Sequence, residues 1–209
     1  MNAFAAVAFG YLIGSVLPAY ILGRTRGLDL REHGTGNPGT TNAFGVLGPL
    51  SGIAVGSFDV TKSLLAMYVA FRLGLSQPWV YAAGIAAVVG HRFPIWLGFR
   101  GGTGMASSVG LLLYGLGTAI HGGWLPLVWL VVLGGVALST WAVWRRGTVV
   151  GLVVMPLVFA PVALRSTDPL FTAFLGLATG YIWFVQVLIA RHQGLAPRPR
   201  AEWMIRSAK

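Results

Sequence analysis

Long apolar runs separated by short polar gaps dominate this sequence. A helix needs roughly 20 mostly apolar residues to cross a bilayer, and seven runs follow this pattern. They are Phe4–Gly23, Val46–Leu73, Trp79–Val89, Met105–Leu116, Trp124–Trp144, Val149–Leu164 and Leu170–Ala190. The first, second, fifth and seventh are long enough to span, whereas the third and fourth are short and can form partial spans around Gly90–Gly104. We expect Pro156 and Pro161 to kink the sixth. The pattern predicts an all-α integral membrane protein with about seven transmembrane helices.

The composition supports a membrane protein and limits the chemistry. Hydrophobic residues make up 56% of the chain and charged residues only 10%, against about 25% charged in soluble domains. The net charge of +10 comes from basic residues in short gaps, which suits lipid head groups and not nucleic acid, which needs a basic soluble face. The chain has no cysteine, and no cluster has metal-ligand spacing. We therefore expect a bilayer partner, and no metal, cofactor or nucleic acid.

The basic residues are distributed unevenly between alternate gaps. With seven helices, one side of the membrane carries twelve Lys and Arg residues, and the other carries only Arg72 and Arg165. The positive-inside rule places the richer side in the cytoplasm. We therefore predict an amino end outside and a carboxyl end inside, with a membrane domain over residues 1–190 and a basic cytoplasmic tail over 191–209. The predicted location is the inner (cytoplasmic) membrane, with the polar loops facing the cytoplasm.

The first polar gap, residues 33–42, is rich in glycine, threonine and asparagine. Glycines let successive backbone N–H groups converge on an anion, and Asn37 and Asn42 add amide donors. Thr40, Thr41 or Asn42 can cap the helix that follows, whose amino end also favours an anion. We interpret this gap as a phosphate-binding loop; the alternative is a tight turn that leads into a helix.

A second glycine-rich gap lies on the same predicted side of the membrane. It contains Gly90-His91-Arg92-Phe93-Pro94 and then Phe99-Arg100-Gly101-Gly102-Thr103-Gly104. Glycines alone are weak evidence, because they are common in membrane helices. Two such gaps on one face indicate that two anionic groups meet there.

Two ionisable residues, Asp59 and Lys62, lie inside the second apolar run. Their i,i+3 spacing lets them pair, and charged residues inside a span usually face the bundle interior. The pair is either structural or part of a site. Asp59 lies about 20 Å along a helix that starts at Val46, which is deep for contact with a head group unless the helix bends.

These motifs together resemble one family. Thr35-Gly36-Asn37-x-Gly39-x-x-Asn42 is similar to the Ser-Gly-Asn-x-Gly-Ala-x-Asn motif of the acyl-phosphate:glycerol-3-phosphate acyltransferases, the PlsY family. Gly90-His91-x-Phe93-Pro94 and Phe99-Arg100-Gly101-Gly102-x-Gly104 resemble the family's Gly-His-x-Phe-Pro and Phe-Lys-Gly-Gly-Lys-Gly. Further similarity lies at Tyr11–Ser15, Gly27–Arg31, Asp59-x-x-Lys62, Arg145 and Thr148. The resemblance is clear over roughly the first 110 residues and loose beyond them.

The resemblance implies transfer of a fatty acyl group from acyl phosphate to the first hydroxyl of glycerol 3-phosphate, giving lysophosphatidic acid without a metal or acyl-CoA. It implies Asn37 and His192 as catalytic residues, with the donor phosphate as an alternative base to His192. The implied substrate- and phosphate-binding residues are Thr35, Gly36, Gly39, Asn42, His91, Arg100, Gly101, Gly102, Gly104, Arg145 and Thr148.

The sequence departs from the family pattern at two basic positions. The arginine expected three residues after the last Asn of the first motif is Gly45, and the second lysine of the glycine-rich motif is Thr103. Each lost contact to a phosphate weakens binding by roughly 1.5–3 kcal/mol. These departures leave open a second interpretation, a membrane transporter or binding protein for a phosphorylated or lipid ligand derived from this family.

Overall fold

A computed structural model describes residues 2–144 and 147–193, with only the backbone described at 141, 144, 147, 148, 192 and 193. In this part of the chain the regular secondary structure is entirely helical. The chain divides into two compact units, Met1–Tyr114 and Gly115–Lys209. The all-α prediction is therefore confirmed.

The helices follow one another with short connections. The first unit contains α1 (Ala3–Gly14), α2 (Pro18–Thr25), α3 (Thr40–Leu47), α4 (Pro49–Arg72), α5 (Gln77–Arg92) and a 3-10 turn (Ile95–Leu97). The boundary between the units falls within α6 (Met105–His121), and the second unit continues with α7 (Val128–Trp144), α8 (Gly147–Arg165) and α9 (Pro169–Gln193).

All seven predicted apolar segments are mainly helical, but the first contains two helices, α1 and α2, and the second begins inside α3. Two predicted lengths also differ from the structure. Four helical segments are long and apolar enough to cross a membrane: Ala3–Thr25, Pro49–Arg72, Gln77–Leu97 and Pro169–Arg191. The third segment is therefore long enough, because its helix takes in polar flanking residues. The fifth is shorter than expected, because a turn around Gly123 delays the start of α7 to Val128. The number of spans and their orientation stay predictions, and α8 runs through both of its prolines.

The first membrane segment is interrupted between α1 and α2. Pro18 begins α2, and a proline has no N–H to donate to the carbonyl four residues earlier. The carbonyl of Gly14 therefore loses its helical partner, and the chain turns through Ser15, Val16 and Leu17 before the helix resumes. This break leaves carbonyl groups at the end of α1 without a helical partner, and a buried side chain binds them.

Small residues bring α1 and α5 into close contact. A Cβ at Gly10 would overlap the backbone of Ala83, and a Cβ at Gly14 would overlap the backbone of Ala87. Such small-residue stripes allow two membrane helices to approach at backbone distance. The Tyr11 hydroxyl donates a 2.7 Å hydrogen bond to the carbonyl of Phe93, just beyond α5. The packing holds the carboxyl end of α5 beside the break in the first segment.

The second unit has its own apolar core. Phe171, Leu175 and Val162 are fully buried between α8 and α9. Asp168 immediately precedes α9, and its Oδ1 accepts hydrogen bonds from the backbone N–H groups of Leu170 and Phe171, at 2.9 and 3.0 Å. A carboxylate at this position satisfies amide groups that the first turn of a helix leaves unpaired.

Candidate active site

The connection from α2 to α3 is held by a buried carboxylate. Asp29 is 6% exposed and accepts hydrogen bonds from the backbone N–H of Arg31 at 3.0 Å and from its guanidinium at 2.7 Å. A second guanidinium, that of Arg24, lies 3.1 Å away. Hydrogen bonds from Arg31 hold the pKa of Asp29 at about 2, below its ordinary 3.8. This ion cluster fixes the start of the first glycine-rich loop, residues 33–42.

Asn42 closes that loop from within. It is 2% exposed, and its Oδ1 accepts a 2.8 Å hydrogen bond from the N–H of Thr35. Its Nδ2 donates to the carbonyls of Leu30 and His33, at 2.8 and 2.9 Å. Both amide hydrogens thus bond within the protein, and contact of Asn42 with a phosphate stays a prediction. Asn42 supports the loop that carries Thr35, Gly36 and Asn37.

The amino end of α3 lacks the side-chain cap that the sequence predicted. Helix α3 begins at Thr40, its N-cap is Gly39, and no side chain makes a capping hydrogen bond. The prediction that Thr40, Thr41 or Asn42 caps this helix is therefore wrong. Asn42 cannot cap because its oxygen is already bonded to Thr35. The first-turn N–H groups of α3 face the end of the loop without a protein cap, as a helix terminus that binds anions requires.

The second glycine-rich loop, residues 98–104, folds back onto the carboxyl end of α5. The N–H groups of Gly101 and Gly102 donate to the carbonyls of Arg92 and His91, at 3.2 and 3.1 Å. A Cβ at Gly101 would overlap the His91 carbonyl, so only glycine fits there. Phe99 adopts φ of 62°, a left-handed conformation that is uncommon for a bulky residue. The loop leads directly into α6, which starts at Met105.

The two loops meet at Asn37. Its Oδ1 accepts a 3.1 Å hydrogen bond from the backbone N–H of Thr103 in the second loop. On the first loop, a Cβ at Gly39 would come within 3.0 Å of the Asn37 amide nitrogen. On the second, a Cβ at Gly102 would lie 3.4 Å from Asn37 Oδ1 and would overlap the His91 ring. Two segments more than 60 residues apart are thus in direct contact, and glycine is required where they are closest.

A buried charged cluster lies behind this contact. Asp59 Oδ1 is 3.0 Å from Lys62 Nζ and 3.3 Å from His91 Nδ1, and all three residues are at most 2% exposed. Lys62 Nζ also lies 2.6 Å from His91 Nδ1 and donates to the carbonyls of Gly14 and Val16, at 2.9 and 3.3 Å. Lys62 therefore replaces the N–H that Pro18 lacks, at the break between α1 and α2.

Asp59 lies less deep along its helix than the sequence indicated. Helix α4 starts at Pro49 and not at Val46, so Asp59 lies about 15 Å along it at 1.5 Å per residue. The second loop contacts this cluster, because the N–H of Gly102 donates to the backbone carbonyl of His91 at 3.1 Å. The sequence indicated the Asp59–Lys62 pair but not its contact with His91, because nothing in helical spacing predicts a neighbour 29 residues away.

Some arginines of the first unit bind other protein groups, and one does not. Arg26 donates to the Leu47 carbonyl at 2.7 Å, and Arg24 and Arg31 bind Asp29. Arg100 is exposed, and its side chain has no partner among the residues described. Arg100 is therefore free to meet an anion at the second loop. Of the other predicted site residues, Arg145 lies outside the described part of the chain, as do the side chains of Thr148 and His192.

This arrangement is suited to stabilising negative charge. It joins two glycine-rich loops, the amino ends of α3 and α6, the amide of Asn37 and the free guanidinium of Arg100 on one surface. Preorganised backbone N–H groups and helix amino ends stabilise phosphate oxygens and developing oxyanions. The chain has no cysteine that could act as a nucleophile here.

Comparison with known proteins agrees with this geometry. The family model described as glycerol-3-phosphate acyltransferase matches residues 4–198. A glycerol-3-phosphate acyltransferase of Geobacter sulfurreducens is 37% identical over 170 residues, which cover 79% of this chain and 81% of the relative. Glycerol-3-phosphate acyltransferase 1 of Deinococcus radiodurans is 44% identical over 112 residues, 54% of this chain and 57% of that protein.

The fold is also that of a solved membrane protein. The crystal structure of PlsY, described as an integral membrane glycerol 3-phosphate acyltransferase in its glycerol 3-phosphate form, superposes with a TM-score of 0.76. The alignment covers 97% of this chain and 98% of that one at 22% sequence identity. The match to the family model over nearly the whole length, together with the Geobacter relative, leads to one conclusion. The chain belongs to the glycerol-3-phosphate acyltransferase family of integral membrane proteins.

Proposed function

We propose that this protein transfers a fatty acyl group from acyl phosphate to the first hydroxyl of glycerol 3-phosphate, which yields lysophosphatidic acid for phospholipid synthesis. Family membership supports the acyltransferase activity and the acceptor, because the relatives are named for it. The proposed donor, acyl phosphate, rests on the motif resemblance and on the presence of two anion-binding loops instead of one.

The observation that carries the proposal is the hydrogen bond between Asn37 Oδ1 and the N–H of Thr103, at 3.1 Å. Because it joins the two loops directly, two phosphate groups bound at the loops lie side by side. An acyl carbonyl on one phosphate then approaches a hydroxyl of the molecule that carries the other. Holding two reactants in such a geometry can supply roughly 7–11 kcal/mol of a reaction barrier.

The chemistry needs few protein groups. The acceptor oxygen attacks the acyl carbon, the bond from that carbon to the phosphate oxygen breaks, and inorganic phosphate leaves. The first-turn N–H groups of α6 and the Asn37 Nδ2 amide stabilise the charge that develops on the carbonyl oxygen, while Arg100 binds a phosphate. The hydroxyl proton passes to a phosphate oxygen of the donor. His192 is the alternative base, in a part of the chain whose side chain is not described.

The proposed site faces the cytoplasm of the inner membrane. The support for this orientation is the distribution of basic residues, twelve on the side of the two loops and two on the other. Glycerol 3-phosphate is a charged, soluble molecule, so it must reach the loops from water. The acyl phosphate reaches the same face from within the inner leaflet.

The test uses sealed vesicles that contain the purified protein, isotopically labelled glycerol 3-phosphate and acyl phosphate. The proposal predicts labelled lysophosphatidic acid and release of one phosphate for each acyl group transferred. Labelled glycerol 3-phosphate that accumulates inside the vesicles without product would instead support the transporter interpretation, which the missing basic side chains at Gly45 and Thr103 favour.

A further inference from the structure

The buried lysine of α4 has a fixed set of hydrogen-bond acceptors. A lysine ammonium has three hydrogens and no acceptor. Lys62 Nζ donates to the Gly14 carbonyl at 2.9 Å and the Val16 carbonyl at 3.3 Å, and it lies 2.6 Å from His91 Nδ1. The two carbonyls take two of the three hydrogens, which leaves the third for His91 Nδ1, while Asp59 Oδ1 lies 3.0 Å away as the counterion.

This arrangement determines which nitrogen of the His91 ring carries hydrogen. Because the ammonium can only donate, His91 Nδ1 must accept, and a neutral imidazole then has its hydrogen on Nε2. The opposite tautomer would direct an N–H at Asp59 Oδ1 over 3.3 Å. It would also place that N–H against the lysine ammonium at 2.6 Å, so the first arrangement is favoured.

The Nε2 side of the ring lies at the meeting point of the two loops. A Cβ at Gly102 would overlap His91 Nε2 and lie 3.4 Å from Asn37 Oδ1. In the part of the chain that the structure describes, no group forms a hydrogen bond with His91 Nε2. The side chain is 3% exposed, so only a group that enters the glycine-rich loops can reach this nitrogen.

We propose that Lys62 is a positioning residue that holds His91 in the Nε2–H tautomer, with this N–H directed to an oxygen of the substrate bound between Asn37 and Gly102. The same ammonium binds the carbonyl freed by Pro18, and it thereby ties the break in the first membrane segment to the site. The inference rests on the proposed acyl transfer for its purpose, but the state of the ring can be measured without turnover.

The experiment is nitrogen NMR of the purified protein with 15N-labelled histidine, in which His91 is assigned by comparison with H91Q. The wild type should show a protonated Nε2 and an unprotonated Nδ1 coupled to the lysine. In K62M, that pattern should be lost, because the hydrogen moves to Nδ1, which faces Asp59, or the ring exchanges between the two tautomers. If K62M transfers acyl groups, its kcat should fall by about 10²-fold, the usual loss for one oxyanion-binding donor, with a smaller change in KM.

A neighbouring variant controls for the loss of any buried polar group. Ser63 follows Lys62 in α4, is fully buried, and donates a 2.7 Å hydrogen bond to the Ser107 carbonyl. S63A should therefore leave the His91 signals as in the wild type. D59N should also keep the Nε2–H pattern, because in this account the lysine and not the carboxylate sets the tautomer.

Three results would overturn the proposal: a protonated Nδ1 in the wild type, an unchanged ring in folded K62M, or a tautomer switch in D59N. The first and third can be observed even if K62M does not fold. A wild-type protein with the expected ring state but no acyl transfer would refute the proposed function, while the assignment of the tautomer would stand.

Discussion

Gly102 provides a direct steric test of the meeting point between the two loops. Its backbone is not in the left-handed region that favours glycine, since it is absent from the positive-φ residues, so alanine causes no backbone strain there. The only change in Gly102→Ala is the added methyl group. That methyl would overlap His91 Nε2, lie 3.0 Å from the adjacent ring carbon and 3.4 Å from Asn37 Oδ1.

The ring cannot easily move away from the new methyl group. His91 is buried, and its Nδ1 is held by Lys62 at 2.6 Å on the opposite side. Overpacking of this kind costs typically 1–3 kcal/mol, and the less constrained partner is the loop that contains Gly102 and Thr103. A loop shift of about 1 Å would separate Thr103 from Asn37 and lower turnover by roughly 10²-fold.

The assay measures kcat and KM for both substrates in purified protein, with thermal unfolding in detergent as the check on folding. Gly117→Ala is the matched control, because Gly117 lies in α6 and a Cβ there meets no heavy atom within 4 Å. The control should keep wild-type activity. If G102A retains more than half of the wild-type kcat, the steric reasoning about this contact is wrong.

Three other substitutions test separate parts of the account. Asn37→Ala removes the bond to Thr103, and turnover should fall by at least about 10²-fold while the protein stays folded in membranes; near wild-type rates would contradict a role for this amide. Gly45→Arg restores a cation on an exposed face of α3 where a Cβ meets nothing within 4 Å, so the KM for glycerol 3-phosphate should fall on the order of tenfold. Gly45→Gln, of similar reach but uncharged, should not reproduce this, and an unchanged KM in the arginine variant would argue against binding there. Asp29→Asn should destabilise the first loop by about 1 kcal/mol at neutral pH. The effect is this small because solvent screens the ion pair with the partly exposed Arg31. The pKa of Asp29 is about 2 in the folded protein and 3.8 ordinarily, so its stabilisation of the wild type is present above pH 4 and is lost as the pH falls towards 2. Limited proteolysis at pH 7 and pH 3 should therefore show a pH-dependent loss of loop stability in the wild type and not in the variant.

Apolar length predicted most of the helical regions. The seven runs are mainly helical because an apolar stretch bounded by polar gaps has few other structures available in lipid, but the break between α1 and α2 and the separate helix α3 were not predicted. The ends were harder to predict. Polar residues such as Gln77 and Arg92 continue α5 beyond its apolar part, and Pro18 interrupts the first span inside a run that reads as one continuous apolar segment.

The two loops of the candidate site were located by motif, but their internal connections were not predicted. Glycine and asparagine in residues 33–42 indicated an anion-binding loop, yet Asn42 turned out to bind the loop's own backbone. The contact of Lys62 with His91 and with the Gly14 carbonyl joins three helices. Such contacts depend on how close α1 and α5 approach, and that distance is set by packing at Gly10 and Gly14 and not by any local pattern.

The central claim is that the two joined loops form a working acyltransferase site. Its most direct test is complementation of a bacterial strain whose own glycerol-phosphate acyltransferase can be switched off. The account predicts that this chain restores growth and lysophosphatidic acid synthesis, and that N37A at equal membrane levels restores neither. Failure of the well-expressed wild type, or growth supported equally by N37A, would contradict it.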